Sequence, residues 1–392
     1  MNELIVRIAA RGEGVTASGH HVPFGVPGDV LLDDGALAPG KHHQLPPCRH
    51  FPECGGCQLQ HADDQSYRDY LVSRIETALA QHELTTNIHE PYLSPPKSRR
   101  RATLRGLRIA DRAMLGFNAG KSHRIVDIQE CHILRPELFA LLPSLRKLLV
   151  NLAKPRRAVE VALTLVDQGP DVLLAGVAAE GLAELEQLTS FAAQTNLARL
   201  SIDQGLGPEI LFEPVPATVT LSGVPVGFPV AGFLQATEDG QQVLVQAVNQ
   251  GLHGSKIAAD LFCGIGTFAH ANHVSYAAEA SRDAVAALKR AAPGLNVEHR
   301  DLYRRPLGRA ELERFDGITL DPPRAGAAEQ IAAVARSSVP RVAYVSCNPA
   351  TFARDAKTLI DGGYELEWVK PVGQFRWSTH VELAGVFFRH HK

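Results

Sequence analysis

Lys256-Ile-Ala-Ala-Asp-Leu-Phe-Cys263-Gly-Ile-Gly-Thr-Phe268 decides the fold. Residues 256–262 are mostly apolar and read as a buried strand. Cys263-Gly-Ile-Gly-Thr-Phe268 follows as a glycine-rich loop leading into a helix, and its glycines let the backbone approach a ligand closely. From here to the C-terminus strand and helix patterns alternate, which predicts a parallel sheet covered by helices across 226–392.

Each later strand of that stretch ends in a residue with chemistry. His273 to Ala278 runs into Glu279, an acid placed to accept hydrogen bonds from a ribose diol. The loop is G-x-G-x-F without a third glycine, so it does not suit a pyrophosphate. It favours S-adenosylmethionine, which has a ribose and a sulfonium but no phosphate, over NAD. Leu295 to Asp301 reads as a third strand whose terminal Asp301 is expected to face the adenine. Gly317-Ile-Thr-Leu320 ends in Asp321-Pro-Pro-Arg324. Enzymes that methylate amines commonly follow the two prolines with an aromatic residue, and Arg324 at that place argues against attack by an exocyclic nitrogen. Arg341 to Val345 ends in Ser346-Cys347-Asn348-Pro349, where Pro349 stops the strand and leaves a thiol at its tip. A free cysteine is by default a core residue, and Cys347 is singled out only by the company of the other strand ends. Phe375-Arg-Trp-Ser-Thr-His380-Val-Glu382 precedes a last strand and puts a carboxylate at its start. Cys263, beside the glycine loop, reads as packing.

The remaining chain divides in two. At 392 residues two or three domains are expected. Residues 1–46 read as a small β unit punctuated by Arg11-Gly-Glu-Gly14 and by the turn Val26-Pro-Gly-Asp-Val30. Residues 47–225 read as a central α/β domain. It has a helix from Asp64 to about Glu83, a cationic strand after Lys97-Ser-Arg-Arg-Arg101, and further elements near 137–150, 158–166, 171–177 and 181–194. The cations suit either a solvated edge strand or a strip that contacts phosphates. Cys48, Cys54 and Cys57 form a C-x5-C-x2-C loop, with Cys131 the expected fourth ligand ahead of His50 and His61. Four thiolates suit structural zinc or an iron–sulfur cluster, and spacing does not choose between them.

The net charge of −2 excludes a global basic field, so any RNA contact rests on local patches. No apolar run has membrane-spanning length and the first residues lack a signal-peptide pattern, which leads us to expect a cytoplasmic protein without membrane contact.

Five motifs in order, CRHFPECGGCQLQH, DLFCGIGTF, LDPPRAG, VSCNPATFARD and STHVEL, resemble the bacterial RNA uridine C5-methyltransferases. The likeness covers nearly the whole chain and is greatest to the cluster-containing branch that modifies 23S rRNA. It implies an α/β protein with a C-terminal Rossmann-like class I methyltransferase sheet, a central α/β domain and a shortened N-terminal OB-like (TRAM-like) β unit. It implies S-adenosylmethionine contacts from Gln235, Phe262, Thr267, Glu279, Asp301 and Asp321. It further implies a [4Fe-4S] cluster on Cys48, Cys54, Cys57 and Cys131, Cys347 as the nucleophile that adds to uracil C6, and Glu382 as the general base. The implied partner is RNA, with 23S rRNA the expected target and tRNA the alternative. A cluster-bearing RNA-binding protein without catalysis is the non-enzymatic alternative. Phe233 and Phe375 stand as either supports for a flipped-out base or core residues.

Overall fold

The glycine loop does follow a buried strand. In a computed structural model that describes residues 2–177, 179, 181–270 and 274–389, Ala258–Leu261 is an interior strand of a nine-stranded sheet. His273, the expected start of the second strand, lies outside the described residues. Seven strands form the body, in the order Asn296–His299, Val274–Glu279, Ala258–Leu261, Gly317–Leu320, Arg341–Ser346, Glu382–Phe388 and Glu365–Gly373. The first five run parallel, and Glu382–Phe388 runs antiparallel to both of its neighbours.

The alternation of side chains along Arg341–Ser346 explains why the sheet is covered on both faces. Val342 and Tyr344 pack into one core with Ile331, Phe352 and Leu359, and Ala343 and Val345 into another with Leu244 and Val248. The helices Ala328–Ala335 and Pro349–Asp361 supply the first set and Glu238–Gly251 the second. Strand order reverses between Ala258–Leu261 and Gly317–Leu320, which opens a crevice beyond their carboxyl ends.

The central part is a seven-stranded sheet in the order Ile125–Asp127, Arg112–Asn118, Arg101–Ile109, Ala158–Val166, Gly169–Ala175, Arg199–Asp203 and Pro208–Phe212. Helices Leu142–Leu152 and Leu182–Gln194 cover one face. Arg101–Ile109 is therefore an interior strand, and the expectation of an edge strand protected by its charges does not hold. Residues 1–46 contain a five-stranded sheet spanning Glu3 to Ala38. Its Val26–Asp29 turn is closed by the buried Asp29 carboxylate, which accepts from the backbone N–H groups of Val26 and Gly40 at 2.9 and 2.7 Å.

Residues 64–93 fall inside the stretch expected as the central domain, yet they pack against the C-terminal sheet. Helix Asp64–Ala80 buries Tyr67, Tyr70, Leu71, Ile75 and Leu79 in the core that holds Tyr344 and Phe387. Strands Asn87–Ile88 and Tyr92–Leu93 pair in parallel with Glu365–Gly373.

Gly385 sits in the antiparallel strand, where a Cβ would stand 2.4 Å from Cζ of the fully buried Phe352. Gly385→Ala is expected to lower stability by about 1–3 kcal/mol in a urea titration, and an unchanged midpoint would refute this packing.

Candidate active site

The crevice at the strand-order reversal is a cavity of about 640 Å³. All six residues expected to contact the cofactor line it, as do Cys347 and Glu382. Phe262 ends the first strand in a left-handed conformation (φ 62°) and faces the Tyr303 ring at 5.5 Å. Thr267 follows from the glycine loop. Glu279 ends the second strand and ties that loop in place. Its carboxylate accepts from the N–H of Gly264 at 3.0 Å and from that of Ser281 at 2.7 Å. Asp301 accepts from the N–H groups of Tyr303 and Arg304 at 3.0 and 3.3 Å, so it orders its own turn at the cavity wall.

Deeper in the cavity, one buried carboxyl, one half-buried carboxyl and a thiol share one environment. Asp321 ends the fourth strand, and burial together with the Glu279 charge pushes it up to about 7, although Gln235 Nε2 donates to it at 3.1 Å. Glu382 is buried at the start of the last strand and is pushed up to about 8 by burial and by Asp321, against the pull of Gln374 and Arg101. Cys347 is half-buried, and burial with the Glu382 and Asp321 charges raises its thiol to about 11 while Arg324 acts the other way. The three groups are linked by charge, since Asp321 raises Glu382 and both raise Cys347.

The local sequence explains how Cys347 is held. Asn348 is the N-cap of Pro349–Asp361, its side chain accepts from the N–H of Ala350, and Pro349 occupies the first turn, where its missing N–H costs nothing. Asn348 Nδ2 and Thr351 Oγ1 both donate to the Arg324 carbonyl, at 3.1 and 3.2 Å. The nucleophile turn and the Asp321-Pro-Pro-Arg324 turn are thereby fastened together.

The mouth of the cavity is aromatic and cationic. The Arg101 guanidinium lies 4.6 Å from the centre of the exposed Phe233 ring. Phe375 lies 5.4 Å from the His380 ring, with the Arg99 guanidinium over it at the same distance. Phe233 and Phe375 are thus cavity residues. The cationic run is divided among three tasks, and a single phosphate strip does not describe it. Arg100 is buried and donates to the Gln235 carbonyl at 3.2 Å and to Gln241 Oε1 at 2.7 Å, whereas Arg105 pairs with Glu160.

Cys48, Cys54, Cys57 and Cys131 line one separate pocket, walled by Phe51, Phe117, Ile128 and Ile133. All four are free thiols, and burial pushes Cys54 up to about 11 and Cys57 up to about 12. Among the described residues no three Cys, His, Asp or Glu side chains stand at the spacing of ligands to one metal ion. The donor set itself, four soft thiols around an apolar space, fits a larger thiophilic group. His61 is packed among Phe24, His43 and Phe51 and is not in this set. The cysteine loop also holds the segment that carries Phe375 and His380 to the cavity, which the sequence did not suggest. The N–H groups of Gln58 and Leu59 donate to the Trp377 carbonyl at 2.8 and 2.9 Å, and Trp377 packs on Cys57.

A family model described as tRNA (Uracil-5-)-methyltransferase matches residues 295–391. An uncharacterised RNA methyltransferase of Zymomonas mobilis is 50% identical over 98% of both chains. The 23S rRNA (uracil(1939)-C(5))-methyltransferase RlmD of Pectobacterium atrosepticum is 30% identical over 90% of this chain and 81% of its own. The chain belongs to the RNA (uracil-C5)-methyltransferase family. The crystal structure of Pyrococcus abyssi tRNA (uracil-54, C5)-methyltransferase, in complex with S-adenosyl-L-homocysteine, has the same fold. It matches with a TM-score of 0.75 at 21% identity over 99% of each chain. Membership makes this an S-adenosylmethionine-dependent enzyme with a class I methyltransferase fold. Among the described residues no helix is long and apolar enough to cross a membrane.

For an RNA (uracil-C5)-methyltransferase, four cavity features escaped the sequence reading: Arg101, His380, Arg324 as a charge beside the thiol, and Gln374 behind the wall. Arg101 and His380 were visible only as members of longer runs. Gln374 was signalled, if at all, by an amide directly after the apolar end of a strand.

A sulfonium entering a cavity with Asp321 and Glu382 favours their ionised forms. S-adenosylmethionine should therefore gain affinity over the neutral S-adenosylhomocysteine by roughly tenfold between pH 6 and pH 9, as the raised carboxyls ionise. Calorimetry at the two pH values measures the ratio, and a ratio independent of pH would contradict the assignment of these acids to the cofactor's surroundings.

Proposed function

We propose that this enzyme methylates C5 of a uridine in 23S rRNA through a covalent bond between Cys347 and uracil C6. The observation that carries the reading is the shared cavity. A thiol and a buried carboxyl, Cys347 and Glu382, line it together with Gln235, Phe262, Thr267, Glu279, Asp301 and Asp321, the proposed cofactor contacts.

Uracil C5 is a weak nucleophile in the intact ring. Addition of the Cys347 thiolate to C6 moves the C5=C6 electron pair onto C5. S-adenosylmethionine supplies the methyl group that C5 then takes. Glu382 removes the C5 proton, the pair left behind restores the C5=C6 bond, and the C6–S bond breaks to return Cys347 as the thiolate. Burial disfavours the ionised form of both groups in the free protein. Ionisation of Cys347 is opposed by burial and helped by Arg324, and ionisation of Glu382 is helped by Arg101 and Gln374. A base stacked in RNA cannot reach the thiol, so the target uridine leaves its stack, and Phe233 and Phe375 at the mouth are suited to receive its ring.

The 23S rRNA assignment draws support from the similarity to RlmD. The tRNA alternative is kept by the domain match and by the Pyrococcus abyssi structure. For the cysteine pocket the reading is a [4Fe-4S] cluster held by Cys48, Cys54, Cys57 and Cys131. It would replace four raised thiols by paired thiolates and keep the loop that reaches Trp377 in shape. Thiol chemistry of this kind belongs in a reducing, cytoplasmic setting.

Transfer of labelled methyl to unmodified 23S rRNA and tRNA transcripts tests the whole reading. Incorporation as 5-methyluridine into 23S rRNA is expected with the intact protein, and none with Cys347→Ala. Incorporation into tRNA alone would overturn the substrate, and activity surviving Cys347→Ala would overturn the covalent mechanism. Glu382→Gln should stop the reaction after methyl transfer and accumulate an RNA–protein adduct that survives denaturing electrophoresis. Release of free product at the normal rate would remove Glu382 from the base role. Anaerobically purified protein should carry iron and acid-labile sulfide in equal amounts, both lost in Cys131→Ser. Zinc without sulfide would replace the cluster by a structural metal.

A further inference from the structure

Gln374 lies directly after the strand Glu365–Gly373 and is fully buried. Its amide orientation follows from its neighbours. The backbone N–H of Ala236 is a donor only, and it donates to Gln374 Oε1 at 3.0 Å. The Gln374 Nε2 group must then face the other way. There it donates to Gln235 Oε1 at 2.8 Å and to Glu382 Oε2 at 3.1 Å. Because Gln235 is compelled to present its oxygen to Gln374, its own Nε2 points to Asp321 Oδ2. One backbone N–H thus sets the direction of an unbroken series of hydrogen bonds across two amides.

We propose that Gln374 is a positioning residue that couples the two halves of the active site. Its amide turns Gln235 towards the cofactor side of the cavity and holds the Glu382 carboxylate for proton removal. The proposal rests on the functional reading above for the roles of Gln235 and Glu382. Gln374 itself does not line the cavity and touches neither substrate nor cofactor.

Other groups around Glu382 are accounted for. The Asp321 charge repels it and Arg101 attracts it, its own charge raises the Cys347 thiol, and Arg324 and His380 also line the cavity. Arg101 is held by stacking on Phe233, at the mouth. Gln374 is therefore the neutral donor to this carboxyl, and the one whose position is set by the backbone of the Gln235 segment.

Gln374→Met keeps the shape and removes every donor, and Gln374→Glu keeps the acceptor for Ala236 but replaces the donor with a carboxylate oxygen. Two measurements are needed. Calorimetric binding of S-adenosylhomocysteine, without RNA, reads the Gln235 arm, and both variants should weaken it by about tenfold. The pH profile of kcat for methyl transfer to the RNA transcript that the wild type modifies reads the Glu382 arm. Its ascending limb should move up by about one pH unit in Gln374→Met and further in Gln374→Glu, so that raising the pH restores Gln374→Met. A merely structural role would lower the melting temperature and leave the limb in place. Unchanged binding and an unchanged limb in a folded variant overturn the proposal. A wild type that transfers no methyl to either RNA overturns the functional reading and the Glu382 arm with it. Normal S-adenosylhomocysteine binding by both variants separately overturns the Gln235 arm.

Discussion

Burial of carboxyl groups that must become charged is the constraint around which this molecule is arranged. Asp321 and Glu382 sit in a space that disfavours their ionised forms, with the Glu279 charge raising Asp321 and the Asp321 charge raising Glu382. Isolated charges of this kind would be too costly to keep. They are tolerated because amide donors are aimed at them from Gln235 and Gln374, and because the cavity is built to admit cationic and aromatic partners. The chain folds so that each donor is immobile. Gln235 is clamped by Arg100 through its carbonyl and by Gln374 through its side chain, and Gln374 by the N–H of Ala236.

The same demand for immobility explains the extent of the scaffold. The segment between Gln374 and Glu382 has no regular structure, and most of its fixed points come from the N-terminal half of the chain. Tyr67 Oη donates to the Phe375 carbonyl at 3.0 Å, Arg376 pairs with Asp64, and Tyr70 Oη donates to the Thr379 carbonyl at 3.2 Å. The Trp377 carbonyl receives two N–H groups from the cysteine loop. Helix Asp64–Ala80 therefore belongs with the catalytic sheet for a reason beyond burial of its apolar face: its polar residues hold the loop that delivers Glu382.

The parts of this design that obey a local rule were legible in the sequence. The strand ends of the C-terminal sheet could be read because apolar runs stop at glycine or proline, and Cys347 was found because Pro349 leaves no choice about where its strand ends. The helix Asp64–Ala80 and the strands Arg101–Ile109 and Ala158–Val166 followed from their periodicity. What could not be read depends on pairing between distant segments. Nothing near Arg101 announces that its strand is interior, since the neighbours Arg112–Asn118 and Ala158–Val166 are chosen by tertiary packing. Gln374 looks like any polar residue after a strand until Ala236, 138 positions earlier, is seen to dictate its orientation. The placement of residues 64–93 on the catalytic sheet failed for the same reason, because an apolar stripe states that a helix is covered and not by what.

Arg99, Arg100 and Arg101 are consecutive but serve three different neighbourhoods: Phe375, the Gln235 segment and Phe233. In extended chain the separation of Arg100 from Arg99 and Arg101 depends on parity, since each step along the backbone turns the side chain to the opposite face. A substitution here alters one neighbourhood, whereas insertion or removal of a single residue exchanges all three at once. Spacing rather than identity is then the quantity this segment cannot vary. The turn at 153–157 and the hairpin loop at 204–207 lie outside these contacts, so a change of length there leaves the three neighbourhoods in place.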